Sequence, residues 1–367
     1  RDGYLIQTWP GCPVSGLVFP SGGHSWFGFT GVAAGDQILA DFFAAHPLRS
    51  PSPGWTPGSP AELPALAAPP VPVRAIRLFR LPTPRSEPFD IAAGPDGSMW
   101  FTEFGADKIG RVTPTGTVTE YQVPTPGAGP YQIAAGPGGT MWFTEYNTSK
   151  VGKITGNGKV TELTMPGPTY GGLGISGAAR GVYVADPVNA IDRIASDGRM
   201  TRTNLRQDLA ASPFAIAAAS DGQVWFSRYL GYFEFSRVLQ PLNGRPVTLA
   251  NPLSDMDALA AGPGNQIWFT DFATSTVGRV DEASRHVTLF PAGPAYCGLT
   301  DITVASDGSA WFTAQDGMAG RVSAAGVVTE LALPQPGGNP NGIAAGPGRT
   351  IWITETAANA IAMISLP

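Results

Sequence analysis

Ile91 to Glu103 reads IAAGPDGSMWFTE, and Ile133 to Glu145 repeats it as IAAGPGGTMWFTE. The phrase returns as IAAASDGQVWFSR from Ile216, LAAGPGNQIWFTD from Leu259, ITVASDGSAWFTA from Ile302 and IAAGPGRTIWITE from Ile343. A degenerate copy, ISGAARGVYVAD, runs from Ile175 to Asp186. The aromatic anchors Trp100, Trp142, Tyr183, Trp225, Trp268, Trp311 and Trp352 are spaced 42, 41, 42, 43, 43 and 41 residues apart. Seven copies at a nearly constant period of this length mark a repeat architecture.

Each copy divides into four short strands. The IAA run is the first, and a tight Pro-Asp-Gly type turn follows it. MWFTE is the second, KIGRV at Lys108 to Val112 the third, and TVTEY at Thr117 to Tyr121 the fourth. Within the repeats no segment has a helical period of useful length. Four-stranded units at this period predict an all-β fold, a seven-bladed β-propeller over residues 73–367. The seventh copy stops after its third strand, whereas Val73 to Pro84, VRAIRLFRLPTP, reads as a fourth strand with no blade of its own. The strand over 73–80 is expected to complete the last blade and so remove two open sheet edges. The tryptophans are expected to pack between blades, and the glycines to serve turns with positive φ.

Composition narrows the function. The chain has 367 residues, 43% of them hydrophobic, enough for a sizeable core. Lys+Arg 23 against Asp+Glu 28 gives a net charge of -5 and excludes the basic footprint of a nucleic-acid binder. No apolar run reaches the ~18 residues of a membrane-spanning helix. Cys12 and Cys297 are too few for a disulfide framework. A monomer is expected. Arginine far outnumbers lysine, and Ala, Gly and Pro are abundant, which suits a GC-rich bacterial genome.

Residues 1–49 lack the period. Tyr4 to Trp9 and Gly16 to Phe19 read as strands. Gly35 to His46 reads as an amphipathic helix with Ile38, Leu39, Phe42 and Phe43 on one face. Between them lies the GGHSW of Gly22 to Trp26. With Trp9-Pro10-Gly11-Cys12 and the closing DFFAAHP, this stretch resembles the C-terminal end of the polyhydroxybutyrate depolymerase and feruloyl-esterase group of α/β-hydrolases. The resemblance implies a short α/β fragment in which His24 is the base of a Ser-Asp-His triad. No GxSxG nucleophile elbow occurs in the sequence, so that role requires a Ser and an Asp upstream of Arg1; otherwise His24 is an ordinary loop histidine. Residues 50–72 form a Pro-rich linker, expected to be extended. An esterase in cis and a secreted location follow from the same resemblance.

The motifs GPDGSMWFTE, KIGRVTPTG and VTEYQVPTP resemble the streptogramin B (virginiamycin B) lyase family over nearly the whole propeller. That resemblance implies seven blades and a metal-assisted elimination. A histidine removes the proton α to an ester carbonyl, the ester oxygen leaves, and Mg2+ stabilises the enolate-like charge. The family's two histidines stand in Pro-His-Gly-Ile segments opening the last two blades. Here these read Leu299-Thr300-Asp301-Ile302 and Pro340-Asn341-Gly342-Ile343, so Thr300 and Asn341 occupy the histidine positions. The family's metal-binding glutamates map onto Asn339 and Glu355. The other histidines, His46 and His286, match no motif.

Loops before the first strand and after the second are expected to share one face. That face would gather Glu103, Glu145, Asp186, Arg228, Asp271 and Glu355 from second-strand ends, and Asp90, Gln132, Asp257, Asp301 and Asn341 from first-strand starts. Tyr296 and Cys297 belong to the same face. Converging carboxylates could hold Mg2+ or Ca2+ through oxygen ligands, or form a solvated acidic rim. The expected function is a binding or interaction module that takes a peptide, glycan or small polar ligand. The alternative is a diverged metal-dependent C–O lyase or lactone/ester hydrolase, using Glu355 with Asp301 or Asp271.

Overall fold

A computed structural model of the chain describes residues 6–7, 16–17, 73–166, 174–205, 212–229, 236–251, 253–293 and 298–367. The chain divides into two compact units. The first, Arg1–Gly23 with Pro69–Pro367, holds every described element. The second, His24–Ala68, lies outside the described residues, as do the helix expected over 35–46, the linker, Tyr296 and Cys297. Ile6–Gln7 and Gly16–Leu17 pair antiparallel, within the two stretches read as strands.

The repeat folds as seven four-stranded antiparallel sheets. Blade 1 comprises Pro88–Ala93, Met99–Glu103, Lys108–Val112 and Val118–Gln122. Blades 2 to 6 follow over 130–164, 175–204, 212–248, 256–291 and 299–332. Blade 7 takes Pro340–Gly346, Thr350–Glu355 and Ala360–Ser365 and adds Ala75–Arg80 as its outer strand. First strands touch first strands in order around the ring, and blade 7 meets blade 1. This is a closed all-β propeller. Its helical content among the described residues is one 3-10 turn, Phe104–Ala106. No helix among the described residues is long and apolar enough to cross a membrane.

The WF pair in the second strands of blades 1, 2, 4, 5 and 6 sends one ring to each face of the blade, because side chains alternate along a strand. Trp100 packs with Ile133 and Phe143 of blade 2, Trp268 with Phe312 of blade 6, and Trp352 with Phe101 across the closure. The six tryptophans are at most 1% exposed, whereas Tyr183 of the degenerate copy is half-buried. The third-strand glycine has a role that the turn expectation missed. A Cβ on Gly110 would lie 2.1 Å from the Phe101 ring, and one on Gly320 2.0 Å from Phe312. These glycines seat the rings of the second strand.

First strands are irregular at their start. In blade 1 the register jumps from Pro88↔Glu103 to Ile91↔Phe101, so Phe89 and Asp90 together oppose Thr102. Blades 2, 4, 5, 6 and 7 carry the same β-bulge. The second-strand hydroxyl fills it. The Asp90 amide donates to Thr102 Oγ1 at 3.0 Å, and Thr102 Oγ1 donates onward to the Tyr131 carbonyl of blade 2 at 2.7 Å. Thr354 repeats the arrangement across the closure, taking the Gly342 amide at 2.8 Å and donating to the Phe89 carbonyl at 2.7 Å.

Closure is continuous from Ala75↔Ser365 to Arg80↔Ala360. Phe79 stacks on Trp352 with centroids 5.5 Å apart. Asn359 locks the corner: Oδ1 accepts from the Ser86 amide and hydroxyl, and Nδ2 donates to the Thr83 carbonyl. Thr354→Val keeps the shape of its side chain but leaves a buried amide and a buried carbonyl without their bonds. It is expected to cost about 1–3 kcal/mol in chemical denaturation, with the unfolding slope unchanged.

Candidate functional site

A bulge re-aims the side chains it contains. The first bulged residue is Phe89, Tyr131, Phe214, Asp257, Thr300 or Asn341 in blades 1, 2, 4, 5, 6 and 7; the second is Asp90, Gln132, Ala215, Ala258, Asp301 or Gly342. These residues line the mouth of the central channel and an adjoining space of about 140 Å3. Asp90, Gln132, Asp257, Asp301 and Asn341, expected on one face from their place at first-strand starts, come together here. That expectation missed Phe89, Tyr131 and Phe214. They were legible as occupants of the repeat position that also holds Thr300 and Asn341.

Two of the carboxylates stitch blades together. Asp90 accepts the amides of Ile91 and, from blade 2, Ile133, both at 2.7 Å. Asp301 accepts the amides of Ile302 at 2.7 Å and, from blade 7, Ile343 at 2.8 Å. Burial pushes Asp90 well above the ordinary carboxylate range, and the Asp301 charge adds to this. Burial raises Asp301 to about 6 against the pull of its two amide donors. Asp257 is also pushed well up, by burial first and then by Asp255 and Asp301. Part of the rim is aromatic. Phe89 stacks on Tyr131 at 4.2 Å between centroids, and Tyr131 meets Tyr146 at 5.3 Å.

The second-strand ends are buried and line neither of these two spaces. Glu103, Glu145, Asp186, Arg228, Asp271 and Glu355 are at most 2% exposed. Burial lifts Glu103 to about 8, with Glu120 adding and Lys108 opposing. It lifts Glu145 to about 7 although the Thr148 hydroxyl donates to it at 2.6 Å. Glu355 reaches about 7 through burial alone. Asp186 rises to about 6, by burial first, although Arg202 bridges it to Asp192. Arg228 donates to Gln240 and Asn189, and Asp271 accepts the amides of Asp255 and Thr274.

Thr300 is 7% exposed, with its hydroxyl 2.9 Å from that of Thr313 and 3.2 Å from the Asn341 carbonyl. Asn339 sits with φ 54 in the turn packed on Glu355, where a Cβ on Gly338 would lie 2.7 Å from Glu355 Oε2. The metal set implied by the resemblance therefore amounts to one buried carboxylate and an amide. Among the described residues no three His, Cys, Asp or Glu side chains converge as metal ligands. This donor set does not fit a divalent cation. His286 does not line the mouth and lies beside the fourth strand of blade 5.

The fold and site define a closed propeller whose candidate site is the channel mouth. The profile of the Virginiamycin B lyase family matches residues 74–233 and 244–366, and the chain belongs to that family. A streptogramin B lyase structure superposes with a TM-score of 0.69 at 23% identity, over 80% of this chain and 98% of its own. Selenomethionine-substituted virginiamycin B lyase from Staphylococcus aureus gives 0.69 and 23%, over 80% and 99%. A catalytically inactive form of the Staphylococcus aureus enzyme with quinupristin gives 0.69 and 24%, over 80% and 100%. These likenesses show the shared fold. No curated protein sequence matches the chain.

The buried carboxyls set the pH response. A carboxyl raised in the folded state holds a proton that unfolding releases, so stability falls as pH rises between the unfolded and folded values. For Glu103 that window runs from its ordinary 4.5 to about 8. Within it the loss is about 1.4 kcal/mol per pH unit. The thermal midpoint is expected to drop between pH 6 and pH 9, and Glu103→Gln is expected to reduce the drop. An equal drop in that variant would contradict the assignment.

Proposed function

We propose that the chain is a ligand-binding module on the lyase fold. It takes a peptide, glycan or small polar ligand at the channel mouth and does not use the family's histidine-driven elimination. The observation that carries this reading is the occupancy of the bulge ring. Thr300 and Asn341 stand at the histidine positions, and the Thr300 hydroxyl is committed to the blade 6–blade 7 seam. Elimination needs a base that takes the proton α to the carbonyl, and neither a hydroxyl nor an amide does so near neutral pH. Asp90 and Asp301 each direct both oxygens at backbone amides. What the mouth presents is aromatic faces, amides and carboxylates, groups suited to holding a ligand. The esterase-like character of residues 1–49 supports a role in holding a secreted ester hydrolase on its substrate.

The full chain, titrated by calorimetry with a cyclic depsipeptide lactone and followed by mass spectrometry, is expected to bind without ring opening, with or without Mg2+. Ring opening that Glu355→Gln abolishes would overturn the reading.

A further inference from the structure

We propose that the channel mouth receives an organic ammonium group, the charged end of a lysine-like arm on a larger ligand, with Asp257 as its counter-ion. This rests on the binding-module reading and names the class of ligand.

Asp257 differs from the other two mouth aspartates. Asp90 and Asp301 are occupied by four backbone amides, whereas Asp257 accepts no hydrogen bond from any described residue. It comes from the bulge of blade 5, lies deep within the ring and lines the mouth. No Lys, Arg or His is among the lining residues, so no cationic side chain of the lining faces Asp257. The rings of Phe89, Tyr131 and Phe214 occupy the equivalent bulge positions in blades 1, 2 and 4. Aromatic faces are electron-rich and attract cations. An acidic, ring-lined mouth without a cationic side chain suits an ammonium, which can draw out the carboxylate form of Asp257.

Donor count separates this from a metal. The space that Asp257 lines is about 30 Å3, roughly the ~30 Å3 share of one water and so of one ammonium head, and it has Asp90, Gln132, Ala258 and Asp301 in common with the space of about 140 Å3. A hard divalent cation takes six to eight oxygens. Asp257 offers the one carboxylate in the mouth that is not engaged by backbone amides, and aromatic carbons supply no ligand. Asp257 is pushed up by burial first and then by Asp255 and Asp301, and it acts in turn on the buried Tyr131 hydroxyl, which stays neutral. Like-charge crowding favours the protonated carboxyl in the free protein. A bound ammonium favours the charged form, so binding releases a proton and tightens as pH rises.

The test uses the full chain and two probes, N-acetyl-lysinamide and its neutral isostere N-acetyl-norleucinamide. Calorimetry is expected to show at least tenfold tighter binding of the lysine probe, affinity rising from pH 5 to 7.5, and net proton release between buffers of different ionisation heat. Asp257→Asn is expected to lose tenfold or more. Asp197→Asn, in an exposed turn of blade 3, is expected to change nothing. If Asp257→Asn does not fold, Phe214→Leu is expected to weaken the lysine probe several-fold and spare the isostere. Equal binding of both probes, or a lysine preference that survives in folded Asp257→Asn, overturns the ammonium inference and leaves the binding module standing. Binding of the depsipeptide but of neither probe does the same. Failure of all three ligands overturns both.

Discussion

In blades 1, 6 and 7 the second-strand hydroxyl is caught between two backbones. Thr102 takes the amide left over by its own blade's bulge and hands its proton to a carbonyl of the next blade, and Thr354 does the same across the closure. A bulge leaves one amide outside the ladder, and an unpaired buried amide is costly. The hydroxyl removes that cost and in the same step fixes the distance between neighbouring inner strands. Because it permits the bulge, it also permits two consecutive side chains per blade to reach the channel. One interaction thus builds both the ring and the mouth. The serine of blade 4 fills the same place, with Ser227 Oγ accepting the Ala215 amide.

The large rings obey a second constraint. A Trp on one face of a blade and a Phe on the other leave no room for a side chain on the third strand beneath the Phe, so the KIGRV glycine is a packing residue. Arg111 and Arg321 of the same motif lie over Trp100 and Trp311, covering each indole from the rim. The motif therefore encodes a void, a ring and a lid at fixed offsets.

The blade count, strand order and closing strand were legible because the aromatic anchors recur at a nearly fixed period and the last copy lacks one strand. Depth was not legible. The Glu of WFTE reads as a polar strand end, yet Met99–Glu103 is buried at every position. Inner blade strands are covered on both faces by neighbouring blades, so the alternation that reports exposure disappears. The first-strand starts were recovered but mixed two registers, since Asp257 and Asn341 precede the position of Asp90 and Asp301 by one residue. The bulge separates these registers, and a bulge has no signature in residue type. The aromatic part of the mouth becomes legible only when Phe89, Tyr131 and Phe214 are aligned with Thr300 and Asn341 in the repeat.

The closing corner has a kinetic side. Ser86 and Asn359 are separated by 273 positions, and Thr83 and Asn359 by 276. Bringing such distant segments together carries a large loop-closure entropy that is recovered only once the intervening blades are ordered. The six blades made of consecutive strands can each form from local hairpins. The seventh cannot, because its outer strand is synthesised first and its three inner strands last. During synthesis Ala75–Arg80 waits for its partner while more than six blades emerge. Its Arg77 and Arg80, with Arg74 just before it, keep that waiting edge charged. Charge along an unpaired edge is a known guard against pairing with the wrong strand. The same residues that look incidental in the finished ring therefore protect the chain before the ring exists.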